Sequence, residues 1–351
     1  MMIRSLASLV LVLPALAQAP TDPRAFVPRD YPCEVFVDFV ALRQSGLWDH
    51  LQRSFVVNLV SSRSDHFGAM LPDLDRVRVF PETVGGDPAT RIGRVLVLEG
   101  AEHVRLPAVS EQEHLRADTL AGHDVRIEDW GWNQTNPDVW VSPRPGLLVC
   151  AGQSFVTPVL EGKATPGVPP PEFLSLTSGR GGLAHLVVQM SPAMLEDMPA
   201  ELRGMNPAPD DDALSHLMLR VRQVGDGDGI TFELQGTLRF ARGDVAPAKA
   251  AQWLRDQLQL LQQHRQYGAL KRLWSKVEVT VDGQDVVARL GLGAARTAAA
   301  ELGNSLASLV FMTVRAVETV GAQQAQVIVL PAVEEKPKPA AQPAGGKKDG
   351  G

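Results

Sequence analysis

The sequence predicts an α+β protein of two structurally similar halves, each running β-α-β-β-α-β-β-α, with antiparallel hairpin-rich sheets and helices on one face. Three observations lead there. Short alternating apolar runs recur along the chain, helical periodicities interrupt them, and a Pro/Gly-rich stretch at 164–182 separates two segments of similar order. Those segments are 24–163 and 183–330. A signal peptide at 1–17 precedes them, and a Pro/Ala/Gly/Lys tail at 331–351, too poor in apolar residues to order itself, follows.

At the N-terminus, Arg4, an apolar run over 6–13 and the small-x-small triplet Ala15-Leu16-Ala17 predict a secretory signal peptide cut after Ala17. Cutting after Ala19 would put Pro20 directly beyond the scissile bond. The run is shorter than the roughly 20 residues that span a bilayer. The most apolar later stretch, 302–320, carries Asn304, Arg315 and Glu318, which suit an amphipathic helix rather than a span. The expected location is therefore exported, periplasmic or secreted, with no transmembrane anchor after signal cleavage.

Residues 34–40 alternate as a strand, with Val35, Val37 and Phe39 on one side. Ser45-Gly46 ends it, and Leu47, Leu51, Phe55 and Leu59 at i+4 spacing predict a helix. Strands follow at 76–80 and 94–99. The Ser110-x-x-Glu113 capping box predicts a helix over 110–120. Strands at 124–130, 139–142 and 147–150 and a helix over 154–160 complete the half. The second half opens with a strand at 183–190 and a helix start at Ser191-Pro192, proline being favoured at the first helical position. Residues 214–224 and 230–240 form a hairpin around Gly225-Asp226-Gly227-Asp228-Gly229, and a helix over 244–265 buries Trp253, Leu254, Leu258 and Leu261. Strands at 276–281 and 285–290 join through Asp282-Gly283, a strong hairpin signal. An Ala-rich helix over 294–320 and a strand over 325–330 end the pattern. This order of elements fits one continuous sheet or two domains equally.

One resemblance emerges from this pattern. Val37-Asp38-Phe39-Val40-Ala41-Leu42-Arg43-Gln44-Ser45-Gly46-Leu47, followed by Leu71-Pro72-Asp73-Leu74-Asp75-Arg76-Val77-Arg78-Val79, resembles exported bacterial proteins of unknown function. In those, a Val-Asp-Leu strand leads to a Leu-Arg-x-Ser-Pro-Leu helix start and an Asp-x-Asp-Arg-Val strand; here Gly46 stands at the proline. The resemblance covers roughly the first sixty mature residues. It implies export and an α+β fold, and brings no catalytic residues.

The chemistry expected is sparse. With 34 basic and 40 acidic residues the net charge is −6, which argues against a nucleic-acid partner. The sequence holds no Gly-x-Ser-x-Gly elbow, His-Glu-x-x-His pair or Walker loop. Ser178-Gly179-Arg180-Gly181-Gly182 precedes a strand, whereas phosphate loops precede a helix, so it reads as linker. His114 and His123, with Glu111, Glu113, Asp118 and Asp124 nearby, lack metal-ligand spacing. Asp226, Asp228 and Glu233, and the run Asp210-Asp211-Asp212, lack the order of a calcium loop. No metal, cofactor or catalytic residue is expected.

Cys33 and Cys150 form an even pair in an exported chain, so a disulfide between them is one reading; a free, buried Cys150 within Leu147-Leu148-Val149-Cys150-Ala151 is the other. Trp130, Trp132 and Trp140 crowd one hairpin. If Val125, Ile127, Val139 and Val141 face the core, alternation turns Trp130 and Trp140 outward as an aromatic platform for a partner; an outer face covered by a helix, or cross-strand packing, is the competing reading. The functional expectation is an exported, non-enzymatic scaffold with a protein or envelope partner. A glycan- or small-ligand-binding module using the Trp130–Trp140 hairpin is the alternative, and an enzyme of unrecognised type built around 110–138 a second.

Overall fold

The computed structural model describes residues 21–29, 31–52, 70–81, 94–109, 114–128, 136–165, 167–177, 181–196, 198, 200–207, 212–243, 245–263 and 274–302. The chain divides into two compact units, Met1–Asn304 and Ser305–Gly351. The second lies wholly outside the described residues, as do the expected signal peptide, the tail and the 325–330 strand.

The first unit is α+β, built on a twelve-stranded sheet in which every ladder is antiparallel. Its strands are β1 (Cys33–Asp38), β2 (Leu74–Phe80), β3 (Val95–Gly100), β4 (Leu115–Leu120), β5 (His123–Glu128), β6 (Asp138–Arg144), β7 (Leu147–Gly152), β8 (Gly182–Gln189), β9 (Leu214–Val224), β10 (Thr231–Phe240), β11 (Val277–Asp282) and β12 (Asp285–Gly293). The order across the sheet is β11-β12-β10-β9-β8-β1-β2-β3-β7-β6-β5-β4. The halves thus share one sheet, joined where β1 pairs with β8, Cys33 opposite Val188 through Val37 opposite Ala184. Outward from that junction the order is β1-β2-β3-β7-β6 on one side and β8-β9-β10-β12-β11 on the other, with β5 and β4 added beyond β6.

The described helices are α1 (Phe39–Gln44), α2 (Leu47–Leu51), α3 (Gln153–Leu160), α4 (Pro171–Thr177), α5 (Pro192–Glu196) and α6 (Ala246–Gln263), with a helical segment at 295–302. They cover both faces of the sheet, not one. On the first face, Val97, Val125, Ile127, Val139, Val141 and Val149 pack with Phe26 and Tyr31, with Val156 and Leu160 of α3, and with Phe173 and Leu176 of α4. On the second, Leu98, Trp140, Leu148 and Cys150 pack with Phe39 and Leu42 of α1, Leu47 and Trp48 of α2, and Ala298 and Leu302. Farther along the second face, Leu238, Phe240 and Val286 pack on Ala246, Ala250 and Ala251 of α6. Strands such as β7, buried at every position, have apolar residues on both sides, so each side needs its own cover.

Several elements depart from expectation for identifiable reasons. The strand over 34–40 stops at Asp38, because the Asp38 carboxylate accepts a hydrogen bond from Ala41 N (2.9 Å) and starts α1 at Phe39. Residues 115–120 form edge strand β4 rather than the end of a helix: it pairs along its length with β5 across a two-residue turn, Ala121-Gly122, whose φ angles of 49° and 81° suit a tight hairpin. The 164–182 stretch carries α4, because Phe173 and Leu176 three residues apart give it a face that buries in the core. In α6 the fully buried positions are Ala246, Ala250 and Ala251, while Trp253, Leu254 and Leu258 are half-buried and Leu261 lies outside the described side chains. Trp253 lies so close to Gly204 that a Cβ there would fall 2.2 Å from its ring, so only glycine fits. Phe55 and Leu59 of the expected 47–59 helix, and residues 303–320 of the expected Ala-rich helix, lie outside the described residues. Two signals fall where expected. Ser191 Oγ caps α5 by accepting from Met194 N (3.2 Å), and Gly283, at φ 57°, turns β11 into β12.

Candidate functional site

The β5–β6–β7 corner brings together two of the residues singled out by sequence, Trp140 and Cys150, in an arrangement the sequence did not suggest. Trp130 and Trp132 lie outside the described residues. Trp140 does alternate with Val139 and Val141, but the face it turns to is itself covered: the indole is only 8% exposed and packs beside Cys150 and Leu148. It is therefore not an exposed platform. The expected alternation holds, and the covered-face reading accounts for Trp140. Its Nε1–H donates to Glu128 Oε2 (3.0 Å), which satisfies the buried indole donor.

The disulfide reading fails on distance. Cys33 lies on β1 and Cys150 on β7, with β2 and β3 between them, a separation of about 14 Å at the usual strand spacing, where a bridge needs Cα atoms within about 7 Å. Both are free thiols. Burial, then the Asp138 carboxylate, holds the Cys150 thiol well above its ordinary value, against a partial pull from Arg94. Burial and Glu34 push Cys33 up to about 11. Neither is a thiolate nucleophile.

Around Cys150 three potential ligand side chains converge. Glu128 on β5 sits directly opposite Asp138 on β6, and Cys150 on β7 sits opposite Trp140, two residues on from Asp138. One oxygen of each carboxylate and the sulfur lie within 4.8 Å of one another. Opposite Asp138 on β7 is Gly152, which has no side chain, and Arg94 reaches Asp138 at 3.7 Å. The acid and histidine groups weighed in the sequence do not gather in this way. His114 and His123 stand at opposite ends of the β4–β5 hairpin, Glu233 pairs with Arg222 (2.8 Å), and Asp212 caps α6 and the turn before it through Ala246 N and Arg242 N. Glu128 and Asp138 do not read as a ligand pair in the sequence, because their ten-residue separation matches no ligand motif; only hairpin register brings them together.

A second polar feature crosses the middle of the sheet. Arg78, Phe36, His185, Arg220, Gln235 and Arg289 are successive register partners on β2, β1, β8, β9, β10 and β12, and so lie in one row on the first face. Arg78 stacks over the Phe36 ring at 5.0 Å and pairs with Glu34 at 3.2 Å; Phe36 and His185 rings lie 5.1 Å apart. Burial, helped by the Arg78 and Arg220 charges, pulls His185 down to about 4, and its Nε2 is buried without a hydrogen-bond partner. Burial likewise raises the Glu34 carboxyl, with Arg78 opposing. The row's polar character extends to the Arg222–Glu233 pair and to the two-toothed Arg239–Asp285 pair (2.8 and 2.7 Å). On the same face of the first half the corresponding strands present Val97, Val149 and Val141, all buried.

A cleft of about 220 Å³ opens where β2, β3 and the β6–β7 turn meet α1, lined by Asp75, Arg76, Glu99 and Arg144. Three of these four are engaged locally: Asp75 with Arg43 (3.0 Å), Arg76 with Asp38 (3.7 Å), and Arg144 Nε with the Thr21 carbonyl (3.0 Å).

Two outcomes are expected. Replacing Trp140 by Ala costs about 3–5 kcal/mol, the loss for a buried large aromatic, read from urea denaturation; an exposed tryptophan would cost far less. His185 makes stability depend on pH. The unfolded chain takes up a proton near the ordinary 6.5 and the folded chain not until about 4. Its contribution is therefore full above 6.5 and falls away as the pH drops towards 4, by up to about 3 kcal/mol. Glu34, raised, acts in the opposite sense, so the quantity to measure is the difference between wild type and His185→Gln at pH 7 and pH 4.5, with the wild type losing more.

No family model matches the chain, and no curated protein does. Among solved structures, it is similar to crystal form I of TP0453, at 11% identity and a TM-score of 0.43, over 82% of this chain and 98% of that one. Crystal forms III and IV of the same protein match at 10% identity and a TM-score of 0.42, each over 82% of this chain and 99% of the other.

Proposed function

We propose that the protein is an exported, non-enzymatic scaffold that binds a protein or envelope partner of acidic character through the first face of its second half. The observation that carries this is the change of character along that face. Across the first half it is apolar and covered, whereas beyond the buried Val187, Met218 and Arg220 it carries Arg222, Glu233, Gln235 and Arg289 on β9, β10 and β12. A sheet face lined with charge is suited to water or a polar partner rather than to a core. The side chains of Arg222 and Arg289 keep 30% and 39% of their surface exposed, enough for a partner's carboxylates to reach.

The matching strand order of the two sides, β1-β2-β3-β7-β6 and β8-β9-β10-β12-β11, supports descent from a duplicated five-stranded unit. The helical cover has diverged, since α3 after β7 packs on the first face and the 295–302 helix after β12 on the second. In this reading one copy kept its first face as core while the other turned it into a binding surface. A glycan site on the Trp130–Trp140 hairpin is less well supported, because Trp140 is covered.

Two measurements test the proposal. The exported protein should begin at Gln18 by mass spectrometry, and intact Met1 in a membrane pellet would contradict export. The double variant Arg222→Gln/Arg289→Gln should lose the partners that co-purify with the tagged wild type from an envelope fraction, while its melting temperature falls by only a few degrees; an unchanged set of partners would remove this face from consideration.

A further inference from the structure

We propose that Glu128, Asp138 and Cys150 form a binding site for a thiophilic divalent cation, zinc in type. The argument begins with register. Glu128 and Asp138 are direct cross-strand partners, and like charges facing each other across a ladder destabilise it unless something compensates. The third member is a free thiol with no accessible surface, and its sulfur lies within 4.8 Å of both carboxylate ligand atoms. A buried cysteine set among leucines and valines would need no such neighbours. Here a fully buried sulfur points into a pair of acids.

A cation among the three groups removes the mutual repulsion. The two oxygens and one sulfur are a donor set zinc accepts in tetrahedral geometry, with the fourth position left to water or to a group from another molecule. The sulfur sets the selectivity: calcium and magnesium prefer all-oxygen sites, whereas a thiolate favours zinc and its softer relatives. On ligation the Cys150 thiol gives its proton to solvent as the sulfur–metal bond forms, with no change of oxidation state. The surroundings suit such a centre. The Trp140 indole N–H on Glu128 Oε2 (3.0 Å) is the kind of outer-shell hydrogen bond that orients a ligating carboxylate. The Asp138 side chain, 15% exposed, marks the approach from solvent. Arg94, 58% exposed and 3.7 Å from Asp138, is a loose substitute charge that an entering cation can displace.

Cobalt(II) is the probe, since a cobalt–thiolate bond absorbs in the near ultraviolet. Titrated into the full chain, it should produce a thiolate-to-cobalt charge-transfer band that zinc abolishes, and zinc should raise the melting temperature. Cys150→Ser and Cys150→Ala should both abolish the band, with folding checked by circular dichroism, while Cys33→Ser, three strands away, should keep it. Asp138→Asn and Glu128→Gln should each weaken cobalt binding by tenfold or more, and Trp140→Phe, which keeps most of the packing, by about tenfold. A folded wild type without the band overturns the proposal, as does a band that survives loss of Cys150, follows Cys33, or is indifferent to Asp138→Asn.

Discussion

The β1–β8 ladder is the constraint on which the rest of the molecule depends. β1 is paired on both sides, to β2 and to β8, so its backbone donors and acceptors are committed to both halves of the sheet at once. Without that ladder the fold would be two smaller sheets, each with a bare edge open to other chains. With it, a single antiparallel surface runs from β11 to β4, and helices from either half can lie across it. Residues 295–302, late in the chain, pack into the same cluster as α1 and α2 from its beginning. The Phe36–His185 contact and the Arg78 stack beside it sit on the same junction, so its polar row is a product of the join.

A continuous sheet with apolar residues on both sides has two cores to fill, and the way each is filled explains the distribution of chemistry. Where both faces are covered, as at β7, the buried Trp140 indole has its partner in Glu128. Across β8 to β12 the first face turns to arginines, glutamine and paired carboxylates, with Arg220, His216 and Thr237 buried beside Val187 and Met218. The costs of burial appear at the boundary between these regimes. Glu34 and His185 are both pushed towards their neutral forms by burial, and Arg78 serves both, as ion partner to the first and as a repelling charge to the second.

The corner at β5–β6–β7 belongs to the first regime and carries the densest chemistry among the described residues. Its three ligand-type groups come from three consecutive strands, and the ladder holds each at a fixed register. A constellation built on strands in this way is positioned more rigidly than one borne by loops. The second face is itself covered at this corner, which is why the tryptophan that sequence alternation turned outward is buried.

Much of the secondary structure was legible in the sequence, because the signals are local. Alternation marks most of the strands, Asp282-Gly283 marks the tight turn, and Ser191-Pro192 marks a helix start, each decided by residues within a few positions of one another. The same locality explains the failures. The Ser-x-x-Glu box at 110–113 predicts a helix over 110–120, but at 115–120 pairing with β5 along six residues outweighs one capping signal. The stretch over 164–182 reads as linker from its Pro and Gly, yet Phe173 and Leu176 find a core that only folding supplies. Local pattern thus determined which residues share a side of each strand and where the chain turns. Tertiary pairing alone decided that the two halves are one sheet, that both of its sides are covered, that Cys33 and Cys150 lie too far apart to bridge, and that Glu128, Asp138 and Cys150 meet. Those outcomes depend on strand order and register between segments distant in sequence, and on the burial that follows from them, which no short-range periodicity encodes.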